Sequence, residues 1–240
     1  MAGHSQFKNI MYRKSAQDKK RSKLYSKMSR EIMVAAKSGS SDPEHNSRLR
    51  AAISNAKEIN LPKANIVRAI KKSQILGKDN FLEVRYECFG PEGVAILIEA
   101  LTDNKNRTVT SVRTALQKVG GRMGEAGSII HLFKHVGVLE YFGNQLYEKC
   151  FEAAVDAGAE DVVSENEGMK VICEIKKIEL IRKVLSKLVG ESDKYIITWQ
   201  PLTMIDISEE AASKLYKLFE LLGDDEDIQN IYSNLNATES

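Results

Sequence analysis

Lys19, Lys23, Lys27 and Arg30 recur at intervals of three and four residues, the spacing that stacks side chains along one side of an α-helix. At about 100° per residue they fall within a sector of roughly 80°, centred about 140° from the apolar residues Leu24, Met28, Ile32 and Ala35. One face packs and the other is cationic. A row of ammonium and guanidinium groups in register does the chemistry of phosphate neutralisation, in which each contact releases condensed counterions. The basic set extends on both sides: Lys8, Arg13, Lys14, Lys20 and Arg21 lie in or near the N-terminal arm, and Arg48, Arg50, Lys57, Lys63, Arg68, Lys71 and Lys72 follow. Residues 1–72 hold 17 Lys and Arg against 5 Asp and Glu, and residues 73–240 hold 18 against 28, so the formal net charge of +2 hides an electrically divided chain. Such a division points to a nucleic-acid-facing start on a body that avoids phosphate; the competing reading is a solvated lysine-rich surface.

Other chemistry is thinly represented. The run Gly120-Gly121-Arg122-Met123-Gly124-Glu125-Ala126-Gly127 has backbone N–H groups to cradle an anion, but it follows a helix and precedes a strand, the reverse of a P-loop. It reads as a turn region using positive φ. His131 and His135 are too far apart along a strand, about 13 Å, to share one metal. Cys88, Cys150 and Cys173 are isolated and odd in number, which suits buried thiols of a reducing compartment. In Thr102-Asp103-Asn104-Lys105-Asn106-Arg107-Thr108 the polar groups read as a helix cap at Asp103 with local hydrogen bonds from Asn104 and Thr108, while Arg107 and Arg113 suit either phosphate or the domain's own carboxylates. No GKS or GKT, HExxH or recognisable Ser/His/Asp arrangement occurs, so the reading is a non-enzymatic protein without cofactor, metal or small-molecule substrate. No apolar run of 18 residues and no signal-type N-terminus occur, which leads to an expectation of a cytoplasmic protein without membrane contact.

Periodicity supplies the elements that position these groups. Helices are expected over 16–38, over a segment with Leu49, Ala52, Ile53, Ala56 and Ile59 in phase that runs to Asn60, and over a third starting near Pro62 with Ile66, Ala69 and Ile70. Alternation then predicts a hairpin of 82–88 and 94–98 around Gly90-Pro91-Glu92-Gly93, a helix over 104–119, and strands over 128–133 and 136–142. A second α+β unit follows, with helix 145–157, strands near 161–165 and 169–175, helix 178–188, and strands near 196–199 and 204–207. A helix over 209–222 and a strand over 228–232 close the chain. The first α+β unit lacks a helix to cover its sheet, and this last helix supplies it if the second unit is an insertion.

The ordered motifs MAGHSQFKNI with RKSAQDKKRSK, NSRLRAAISNAKEINLPKANIVRAIKK, RYECFGPEGVAILIE, LTDNKNRT and VGGRMGEAGS closely resemble the YebC/PmpR family and its mitochondrial relative, a translational activator of cytochrome c oxidase. The resemblance is continuous from Met1 to about Leu139. It implies a multidomain α and α+β fold: a basic arm and three-helix domain over 1–76, an α+β domain over 77–140 with 208–240, and an inserted α+β domain over 141–207. It also implies a regulator of gene expression that binds nucleic acid, either as a DNA-binding transcriptional regulator or as a ribosome-associated translation factor that binds ribosomal RNA and relieves stalling. The two roles share one electrostatic requirement.

Overall fold

The structure, a computed structural model, describes residues 18–75, 81–143, 147–165 and 168–236. The expected arm with Lys8, Arg13 and Lys14 lies outside the described residues, as do the side chains of Lys19 and Lys20. Helix α1 (Asp18–Ser38) buries Met28, Ile32 and Ala35, the face its spacing requires, and also Met33, Val34 and Ala36. Helix α2 (Ser47–Glu58) starts at Asn46. That side chain accepts from Leu49 N at 3.0 Å and donates to the carbonyls of Ala35 and Ser40 at 2.8 and 2.7 Å, pinning the break between α1 and α2. Helix α3 (Lys63–Ile75) follows a four-residue link.

Strands β1 (Leu82–Phe89) and β2 (Ala95–Thr102) pair antiparallel, with Leu82 opposite Thr102 and Phe89 opposite Ala95. Helix α4 (Lys105–Gln117) corrects the expected cap: Asn104 accepts from Arg107 N, whereas the Asp103 carboxylate is taken by the Arg107 guanidinium at 2.8 Å. A short β3 (Arg122–Met123), which periodicity cannot show, pairs with β1. The strand expected over 128–133 is instead a 3-10 turn at Ile130–Leu132, because the N–H groups of Ile129 and Ile130 are committed to the Glu87 carboxylate and cannot enter a ladder. Then come β4 (Phe133–Phe142), α5 (Tyr147–Asp156), β5 (Asp161–Glu165), β6 (Gly168–Glu174), α6 (Ile178–Val189), β7 (Lys194–Pro201), α7 (Glu209–Gly223) and β8 (Ile228–Ser233). The expected strand over 204–207 shrinks to one bridge between Ile205 and Leu235.

The chain divides into two compact units. The first comprises 1–34, 71–134 and 199–240. Its sheet has the order β3-β1-β2-β8. Because successive strand residues point to opposite faces, β2 sends Ile96 and Ile98 to α4 and α7, where they meet Val112, Leu116, Leu215 and Phe219. Ala95 and Leu97 go to the other face, with Ile129, Phe133, Trp199 and Tyr232. The second unit comprises 35–70 and 135–198, with sheet order β5-β6-β4-β7. Cys150 and Ala154 of α5 and Ile178, Ile181 and Leu185 of α6 pack there against Leu139, Val171 and Cys173. Since β8 returns to β2 after all of β4–β7, the second α+β element set is inserted in the first, and α7 provides the expected helical cover.

Candidate nucleic-acid interface

The cationic stripe of α1 does not face outward throughout. Lys27 is only 2% exposed and donates to Gly223 O at 2.7 Å, at the C-terminal end of α7 where orphan carbonyls carry partial negative charge. Burial pushes its ammonium down to about 8, against the pull of Asp225 and Asp224. Lys23 donates to Asp224 O at 3.3 Å. Arg30 donates to Leu101 O and Glu226 O, both at 3.0 Å, approaches Asp227 Oδ1 at 3.2 Å, and lies over the Phe81 ring at 4.6 Å. Of the residues expected to contact nucleic acid, Lys27 is enclosed, and half-exposed Lys23 and Arg30 direct donors to the acidic run 224–227 and adjoining carbonyls.

Asp227 is the centre of that arrangement. Its carboxylate accepts from Thr102 Oγ1 at 3.0 Å, Thr108 Oγ1 at 2.8 Å and Arg107 Nη2 at 2.6 Å. Burial would raise its pKa, but the hydrogen bonds from Arg107, Thr108 and Thr102 hold it below the usual carboxylate value. The polar stretch from Thr102 to Thr108 is thus an internal bracket, and Arg107 pairs with the domain's own acids. The end of the glycine run likewise serves a carboxylate of the chain itself. Glu87 accepts from the N–H groups of Gly127, Ile129 and Ile130 at 2.7, 2.7 and 2.9 Å, filling with a side-chain carboxylate the cradle an anion would occupy. Gly120 and Gly127 have φ of 75° and 89°, as a turn region requires.

Arg50 is also drawn inward. It pairs with Glu179 and with Glu44 at 3.4 Å, while the buried Arg182 engages Glu44, Glu179 and Glu191 at 3.0, 3.3 and 2.7 Å. A groove of about 960 Å³ lies beside this cluster, lined by residues including Lys57, Phe142, Lys194 and Tyr195. Lys194 in this lining sits 3.1 Å from Glu140 and 3.6 Å from Glu58. Arg50 is thus engaged by carboxylates of its own unit.

What faces outward is a shorter list. Arg21 is exposed, with its Nε donating to Tyr25 Oη at 2.9 Å. Arg48 is half-buried, and Lys57 is exposed on the last turn of α2. On α3, Lys63, Arg68, Lys71 and Lys72 are all exposed, and Ile66 and Ala69 are buried. The helix contains no Asp or Glu. Val67, 42% exposed, stands among these cations; its position out of phase with Ile66, Ala69 and Ile70 was the sequence signal for an outward residue. His131 and His135 are exposed, and no cluster of three metal-binding side chains occurs among the described residues. No described helix is long and apolar enough to cross a membrane.

Comparison with known proteins follows the same division of the chain. Residues 5–75 match the model of the TACO1/YebC protein N-terminal domain, and residues 81–235 match that of the TACO1/YebC second and third domain. The chain belongs to the TACO1/YebC family. A relative from Zymomonas mobilis subsp. mobilis, named "Probable transcriptional regulatory protein", is 50% identical over 98% of this chain and 94% of its own. The crystal structure of a conserved hypothetical protein from Aquifex aeolicus is similar with a TM-score of 0.77 and 38% identity, covering 93% of each chain. Within the matched N-terminal region, α3 carries four exposed cations, Lys63, Arg68, Lys71 and Lys72.

Proposed function

We propose that this TACO1/YebC-family chain is a non-enzymatic, cytoplasmic regulator of transcription that binds DNA through its N-terminal basic region. The observation that carries the reading is the acid-free helix α3, which turns Lys63, Arg68, Lys71 and Lys72 to solvent while the remainder of the chain is net acidic. A helix with cations on its outer face and apolar residues on its inner face is held in place by packing, which leaves Lys63, Arg68 and Lys71 facing solvent where phosphates can reach them. The name of the Zymomonas relative supports a role in transcription. The test is duplex DNA binding by the full chain across a salt titration, with purified ribosomes as competitor. Log affinity is expected to fall linearly with log salt, by roughly 0.9 per phosphate neutralised. Retention on ribosomes together with no measurable duplex affinity at low salt would overturn the DNA reading.

A further inference from the structure

The link between α2 and α3 has a specific geometry. Asn60 N donates to Lys57 O at 2.9 Å, and Leu61 N reaches back to Ala56 O at 2.9 Å. Asn60 has φ of 57°. This pair of bonds with one left-handed residue is a Schellman motif, which stops α2 and redirects the chain at once. Its usual apolar contact is supplied by Leu61 and Ala56, 5% and 0% exposed. Pro62 then opens the next helix: its carbonyl accepts from Asn65 N at 2.8 Å and Ile66 N at 3.3 Å. Ile59, Ile66 and Ala69 are buried. Two helices joined by a four-residue turn, with a small fully buried residue before the turn and apolar residues inside it, have the connectivity of a helix–turn–helix.

Resting on the DNA reading above, we infer that α2, the turn at 59–62 and α3 form a helix–turn–helix in which α3 enters the major groove of duplex DNA and reads bases with Lys63, Ala64, Val67 and Arg68. These four residues are exposed, occupy the first two turns, and fall within about 140° of one another on the helix. Their chemistry matches what the groove displays: a guanidinium or ammonium donates to guanine N7 and O6, and Ala and Val meet the thymine methyl. Val67, 42% exposed amid cations, presents methyl groups that a thymine methyl would cover. The deep, narrow major groove of A-form RNA does not admit a helix, so the ligand is duplex DNA.

The test uses the full chain and a duplex obtained by selection from random sequence, with thermal melting of each variant as a fold control. Arg68→Ala is expected to weaken binding to the selected duplex by roughly ten-fold to a hundred-fold and to relax preference for a guanine in it. Replacing thymine by uracil in that duplex should weaken wild type and leave Val67→Ser unaffected. Equal affinity of wild type, Lys63→Ala and Arg68→Ala for the selected duplex would remove α3 as the reader while leaving DNA binding intact. A uniform loss across all sequences, with the preference unchanged, would reduce these residues to phosphate contacts and overturn base reading. If the full chain binds no duplex at any salt, both this inference and the DNA function fall.

Discussion

Helices α1 and α3 are alike in sequence, each with an apolar stripe and cations at helical spacing, and the protein uses them oppositely. On α1, Lys23, Lys27 and Arg30 meet Gly223, Asp224, Glu226 and Asp227, and Lys27 is withdrawn from solvent. On α3, Lys63 and Arg68 stand exposed with no acidic residue on the same helix. A cation's role is set by where the chain's acids arrive. Helix periodicity says which side chains share a face, but the partner across that face comes from a segment about 200 residues away, beyond any local pattern.

The comparison breaks most visibly at Asp227. Asp227→Ala leaves Arg30 and Arg107 without their carboxylate and Thr102 and Thr108 without an acceptor, and is expected to destabilise the protein by about 3 kcal/mol in urea unfolding. A loss under about 0.5 kcal/mol would mean that the dock of α1 contributes nothing. Because the folded pKa of Asp227 is depressed, its contribution is present above the ordinary Asp pKa near 3.9 and is lost as pH falls through the lower folded value. Acid unfolding of wild type should therefore steepen below about pH 4, and that component should be missing in the variant.

Glu87→Gln probes the same principle in the glycine run. One amide oxygen must serve three N–H donors, and an NH2 group is introduced among them, so a loss of about 1–3 kcal/mol is expected in the same assay. Nucleic-acid affinity should not move; a selective loss of binding at unchanged stability would make the glycine run part of the interface.

Binding and stability should separate cleanly between the two helices. Lys63→Gln with Arg68→Gln is expected to hold stability within about 0.5 kcal/mol and to weaken binding to the selected duplex by roughly ten-fold or more. The matching pair Lys23→Gln with Arg30→Gln should lower stability and leave that binding unchanged. The reverse pattern would restore the α1 stripe as the binding face.

The smallest expected effect is Lys27→Met. A buried ammonium is replaced by an apolar chain of similar shape, so stability at neutral pH should change by less than about 1 kcal/mol. With a folded pKa near 8 and an unfolded one near 10.5, the unfolded state binds the proton first as pH falls, so wild-type stability rises with pH between those values. Lys27→Met should abolish that rise; its persistence would assign it to another group.

Much of the architecture was legible because burial imposes a period. Leu82 to Cys88 alternates, and β1 spans Leu82–Phe89; Ile178 to Leu188 repeats at helical spacing, and α6 spans Ile178–Val189. The misreadings occur where polar backbone groups have non-local partners. Ile129 and Ile130 look like strand residues, yet their N–H groups serve Glu87, some forty residues earlier. Asp103 and Asn104 are both good caps, and the choice fell to Asn104 because Arg107, itself drawn to Asp227, occupies Asp103. At 59–62 the helix end at Asn60 and the start near Pro62 were legible, whereas the positive φ of Asn60, with no glycine to mark it, was not.

The sequence by itself determined the charge division at residue 72, the amphipathic helices, the two sets of strands and membership of the TACO1/YebC family. These are properties of composition and short-range spacing, which every conformation of the chain shares. Tertiary structure alone decided which cations are spent internally. Lys27 and Lys63 are chemically identical groups on helices of the same kind, but one is enclosed against the carbonyl of Gly223 and the other meets water. Electrostatic pairing depends on distance in space and on local dielectric, and neither exists until the chain has folded.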